Sequence, residues 1–103
     1  MKEKTIAGTT INFTDEGYFT EPQKWSKEIA IAYAKEDGIE LTDKHLEVLE
    51  FIREKFFAGE TLTIRSIGKS GIVDIKGFYK LFPGAPLKKA SKYAGISKPT
   101  SCV

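Results

Sequence analysis

The thiol of Cys102 is the side chain in this sequence best suited to covalent chemistry near neutral pH, and it is the only cysteine among 103 residues. A thiolate is a strong nucleophile and can hold sulfur as a persulfide. It sits in the stretch Lys98-Pro99-Thr100-Ser101-Cys102-Val103. Pro99 biases Lys98 away from the helical region, so the stretch reads as extended; the Lys98 ammonium favours the thiolate and the Val103 carboxylate opposes it. Free cysteines are mostly interior, whereas chain ends are usually the least ordered part of a domain. A thiol placed here is either incidental or serves a reaction that needs reach. Fully extended, the seven residues from Ser97 to Val103 span at most about 23–25 Å.

No other enzyme chemistry emerges. One His and one Cys cannot form a Cys/His zinc site, and there is no Gly-rich phosphate loop, so neither a metal nor a cofactor is implied. His45, near the start of a predicted helix, reads as a hydrogen-bonded structural residue rather than a base. Residues 1–64 hold 8 Lys+Arg against 13 Asp+Glu, and residues 65–103 hold 8 against one, which gives halves of −5 and +7. A basic half attracts nucleic acid or an acidic protein. Arg65, Lys69, Lys76 and Lys80 accompany two short predicted helices, so a helix-turn-helix nucleic-acid reader is a rival reading. The longest apolar run, Ile29 to Ala34, falls far short of the roughly 20 residues of a membrane span, and the N-terminus lacks the apolar stretch of a secretory signal. With one cysteine and no internal disulfide, a cytoplasmic protein that uses no membrane is expected.

The elements that must position the thiol are marked by Gly, Pro and capping residues, in one domain spanning residues 1–103. Thr9 to Thr20 alternates around Ile11 and Phe13, turns at Asp15-Glu16-Gly17 and resumes with Tyr18 and Phe19, which predicts a hairpin; Lys4 to Ala7 is a candidate third strand. Pro22 and Ser26 mark a helix start, with Trp25, Ile29, Ala32 and Tyr33 at helical spacing until Gly38. Thr42 and Asp43 open a second helix, stopped by Gly59, whose apolar face carries His45, Leu49, Ile52 and Phe56. Shorter helices are expected near residues 63–67, 73–82 and 86–94, the last framed by Pro86 and Gly95. Trp25, Ile29, Leu49, Ile52, Phe56 and Phe78 are the expected core. The chain is expected to leave the body at Gly95 and to continue as a mobile arm over 95–103.

Leu81-Phe82-Pro83-Gly84-Ala85-Pro86, the basic helix that follows, and the run from Ala94 to Val103 resemble the C-terminus of the DsrC/TusE family of sulfur-carrier proteins. The likeness extends upstream through residues 15–19, Trp25, residues 41–56, Ile64-Arg65 and residues 78–84, so it covers most of the chain. It implies an α+β fold, a small β-meander packed on an array of about five helices. It also implies that Cys102 carries sulfur on a C-terminal arm, exchanged with a sulfur-donor protein and an acceptor protein. Lys98, Pro99 and Thr100 would present the arm, and Arg65 and Lys92 would stabilise the anion or dock the partner. Two-cysteine members of the family have a second thiol eleven positions earlier, where this chain has Ser91. That closes intramolecular disulfide chemistry and matches single-thiol TusE-like members, which relay sulfur toward tRNA 2-thiouridine. An accessory, gamma-subunit-like partner of a dissimilatory sulfite reductase is the alternative. The stretch between Arg65 and Phe78 also looks shorter than in the family.

Overall fold

A computed structural model describes residues 2–97. Strands β1 (Lys2–Ile6) and β2 (Thr9–Phe13) pair antiparallel, with Lys4 opposite Ile11 and Ile6 opposite Thr9. Their two-residue turn, Ala7-Gly8, has φ values of +50° and +82°. Turns of this kind suit the twist of a hairpin but need left-handed residues, and Ala is an uncommon one, which hides the turn from a sequence reading. The main hairpin therefore lies earlier than expected. Asp15-Glu16-Gly17 does reverse the chain, but only Phe19 pairs back, in a single antiparallel bridge to Phe13. Pro22 follows soon after and has no N–H with which to extend a ladder.

A 3₁₀ turn (Pro22–Lys24) leads into α1 (Lys27–Glu36), followed by α2 (Asp43–Phe57), α3 (Ile64–Gly68), α4 (Ile75–Leu81) and α5 (Pro86–Tyr93). The first four of these helices open on a side-chain cap: Ser26, Thr42, Thr63 and Asp74 accept the backbone N–H of Ile29, His45, Ser66 and Gly77. Such caps satisfy donors that a helix leaves unpaired at its start. α5 opens on Pro86, which lacks the donor altogether. Trp25 lies in the extended link between the 3₁₀ turn and α1, outside the helix to which its spacing assigned it.

Ile29, Leu49, Ile52 and Phe78 are buried as expected, whereas Trp25 and Phe56 pack against the core while only partly buried. A line of touching rings ties the layers together. Phe13 of β2 meets Tyr33 of α1 at 4.8 Å between centroids, Tyr33 meets Tyr93 of α5 at 5.8 Å, and Tyr93 stacks on Phe82 at 6.4 Å. His45 completes it, edge-on to Phe82 at 5.1 Å. Its Nε2–H donates to Leu81 O at 2.9 Å while Nδ1 accepts the Thr42 backbone N–H at 3.1 Å, a network that assigns the proton to Nε2. Both ring nitrogens are thus engaged in joining the start of α2 to the end of α4. Among the described residues, no helix is long and apolar enough to cross a membrane.

Candidate functional site at the root of the C-terminal segment

The segment that carries Cys102 starts where α5 ends. An α-helix leaves the carbonyls of its last turn without helical partners. Here Ser91 O accepts Ile96 N–H at 3.2 Å and Lys92 O accepts Gly95 N–H at 3.3 Å. These are the paired bonds of a Schellman motif, which requires a left-handed residue, and Gly95 supplies it at φ +71°. The next two carbonyls are taken by side chains from elsewhere. Trp25 Nε1–H donates to Tyr93 O at 2.7 Å, and Arg53 Nη1–H donates to Ala94 O at 2.8 Å.

Arg53 reaches this position from α2. Its Nη2–H donates to Pro22 O at 3.0 Å, so the guanidinium joins the approach to α1 to the end of α5. It stacks over Trp25 at 4.5 Å and over Phe57 at 5.0 Å. Burial draws its pKa below the usual value, yet arginine remains charged at neutral pH. Trp25 also closes over Gly95: a Cβ there would lie 2.5 Å from Trp25 Cδ1 and 2.9 Å from Trp25 Cβ. Glycine is therefore required at position 95 both by its dihedral and by the lack of space.

The body extends past the point where the chain was expected to leave it. Gly95 is buried and Ile96 is only 1% exposed, held by its bond to Ser91, while Ser97 is exposed. Lys98, Pro99, Thr100 and Cys102 lie outside the described residues.

Lys92, expected to face an anion or a partner, is engaged with Asp37 at 3.0 Å and lies over the rings of Tyr33 and Tyr93. Tyr93 Oη–H donates to the same Asp37 oxygen at 2.8 Å. Burial pushes the Asp37 carboxyl upward, but the hydrogen bonds from Lys92 and Tyr93, with the charges of Lys92 and Lys4, outweigh it and hold the group below its ordinary value. Burial, then the bond and charge of Asp37, raise the Tyr93 phenol well above its ordinary value. Arg65 is exposed on α3 and lines an open cleft with Lys69, Asp74, Ile75 and Lys76. Lys92 lines a different cleft, with Asp15, Gly17 and Asp37, so the structure does not gather the two cations at one site. Ser91 is fully buried, and its Oγ has no hydrogen-bond partner among the described residues.

Trp25 and Arg53 are the residues that sequence reasoning missed. Helical spacing assigns Trp25 to the core, and no motif in the sequence singles out Arg53. Gly95 was the available signal: a helix-ending glycine implies carbonyls that need donors.

These features define a small α+β protein whose last helix is capped, and held from two other elements, just before the segment carrying its one thiol. The chain belongs to the family described as DsrC like protein, whose family model matches residues 5–103. It is 38% identical to the sulfurtransferase TusE of Salmonella typhimurium (strain LT2) over 104 aligned residues, covering 93% of this chain and 95% of that one. Among solved structures, DsrC of Allochromatium vinosum superposes with a TM-score of 0.81 at 32% identity, over 99% of this chain and 100% of the other. The oxidized gamma-subunit of the dissimilatory sulfite reductase (DsrC) from Archaeoglobus fulgidus gives a TM-score of 0.82 at 30% identity, with the same coverage. The fold expected from the sequence, strands first and an array of helices after, is the fold observed.

Proposed function

We propose that this chain is a single-thiol sulfur carrier that accepts sulfane sulfur on Cys102 from a donor protein and yields it to an acceptor protein. The observation that carries this reading is the kinship over nearly the whole chain with sulfurtransferases named TusE, in a sequence that holds one thiol. The Cys102 thiolate attacks the outer sulfur of a donor persulfide. A new S–S bond forms at Cys102 as the donor's S–S bond breaks, and the donor cysteine leaves as a thiolate. The exchange is redox-neutral, because one S–S bond replaces another and the persulfide proton travels with its sulfur. Attack by an acceptor thiol on the outer sulfur of the Cys102 persulfide then repeats the step and restores the Cys102 thiolate.

Lys98, Pro99 and Thr100 present the thiol in this reading, and Lys98 favours its anionic form. Arg65, unpaired in its cleft among the described residues, suits contact with a partner; Lys92, held by Asp37, suits a supporting role. Thiolation of tRNA is the destination that the TusE-like pattern favours, in the reducing cytoplasm where a free thiol persists. Solved relatives are named for dissimilatory sulfite reductase, but serine at position 91 leaves this chain no second thiol for an internal disulfide. Direct nucleic-acid reading is less favoured, since α3 and α4 have only 5 and 7 residues. Phosphate contacts would reveal themselves by affinity that falls steeply with salt.

The test is mass spectrometry after incubation with a cysteine desulfurase, L-cysteine and a relay donor protein. Wild type should gain one sulfur atom, lost again on treatment with a thiol reductant, and Cys102→Ser should gain none. Sulfur on Cys102→Ser, or none on wild type, would sink the reading.

A further inference from the structure

We infer that Trp25 and Arg53 are positioning residues for sulfur transfer, which together fix the point from which the chain departs toward Cys102. The inference rests on the sulfur-carrier reading above. Its basis is the accounting at the end of α5. The Schellman bonds occupy Ser91 O and Lys92 O, and the two carbonyls nearest the departing chain, Tyr93 O and Ala94 O, are held by Trp25 and Arg53. The two donors reach α5 from outside it, one from the link before α1 and one from α2, and they stack on each other at 4.5 Å. Gly95 lies against the indole with no room even for a methyl group. Helix end, glycine turn and first departing residue are thereby locked to the rest of the body.

Cys102 lies only six residues beyond Ile96, a span of at most about 20–22 Å. For a tethered group, the effective concentration at a partner's site depends on where the tether starts and how long it is. If the last turn of α5 frayed, three or four residues would join the tether, diluting the thiol about twofold by the scaling of concentration with tether length. Loss of orientation adds to this, because transfer between docked groups is sensitive to displacements of about 1 Å. A small persulfide that diffuses to the thiol requires no such presentation. The clamp therefore governs transfer from a docked protein and leaves the thiol's intrinsic reactivity alone.

Single-turnover transfer to the full-length protein tests this with two donors: a relay donor protein persulfidated by a cysteine desulfurase and L-cysteine, and glutathione persulfide. Trp25→Phe keeps an aromatic ring but loses the donor to Tyr93 O. Arg53→Lys keeps the charge but loses the planar fork that serves Ala94 O and Pro22 O together. Each variant is expected to lower the saturating rate from the protein donor at least about threefold. The half-saturating donor concentration and the rate with glutathione persulfide should stay as in wild type. Should Arg53→Lys lose its native circular dichroism, Trp25→Phe decides alone. Wild-type saturating rates in the variants would overturn the inference while leaving the carrier reading intact. Equal losses with both donors would also overturn it, since they would report damage to the thiol or the fold. A wild-type protein that takes no sulfur from the protein donor would overturn both.

Discussion

Tyr93 and Asp37 meet at 2.8 Å, the phenol of α5 donating to the carboxylate oxygen that also receives Lys92. The contact joins the last helix to the residue that closes α1 and sets one carboxylate between an ammonium and a phenol. A carboxyl held below its ordinary value in the folded state adds stability that is complete above its unfolded pKa of about 3.9 and is lost as pH falls through the folded value. The stability difference between wild type and Asp37→Asn should therefore be constant near neutrality and shrink as pH drops below about 4. The side chains of Lys92 and Asp37 are 26% and 40% exposed, so solvent screening limits the ion pair to about 1 kcal/mol or less. Urea denaturation at several pH values would measure this. A difference that instead grew on acidification would mean the carboxyl is not stabilised in its charged form.

Ile52 is fully buried in the face that α2 turns to the core. Ile52→Ala should cost about 2–5 kcal/mol in chemical denaturation, from lost transfer energy and the cavity left behind. A change no greater than that of a typical surface substitution would contradict the packing described.

His45→Ala should cost about 1–3 kcal/mol, because it strips Leu81 O and the Thr42 N–H of a partner at once. Sulfur loading of Cys102 should persist in the variant that remains folded. Loading that failed in a protein with native circular dichroism would give His45 a chemical role that its two structural bonds do not predict.

Ser91 offers the opposite case. A buried hydroxyl without a partner lowers stability by its desolvation cost, so Ser91→Ala should be neutral or stabilising by about 1 kcal/mol. Loading should be unaffected. A loss of more than about 1 kcal/mol would show that the hydroxyl is engaged after all.

Much of the helical part of the fold was legible because its boundaries are written in local chemistry. Ser26 and Thr42 cap the helices they precede, and the short-range bonds involved need no knowledge of distant residues. The hairpin was misplaced for a local reason as well, since Ala7 takes a left-handed conformation that alanine seldom adopts. The root of the C-terminal segment was illegible for a different reason. Trp25, Arg53 and Ala94 are far apart in sequence, and nothing in helical periodicity says which polar residue will find which orphaned carbonyl. The thiol itself was the easiest feature to find, since the sequence has only one.

Trp25 is also the sole tryptophan of the chain. Its indole is bonded to the carbonyl of Tyr93, flanked by a guanidinium and pressed against Gly95, so its emission spectrum and intensity depend on a few atoms at the origin of the thiol-bearing segment. The protein thus contains its own optical gauge: excitation at the red edge of the absorption, where the four tyrosines contribute little, reads the state of that junction in unlabelled wild-type protein. Titration with a partner that disturbs the junction will shift the emission, whereas one that binds the far side of α3 and α4 will leave it unchanged.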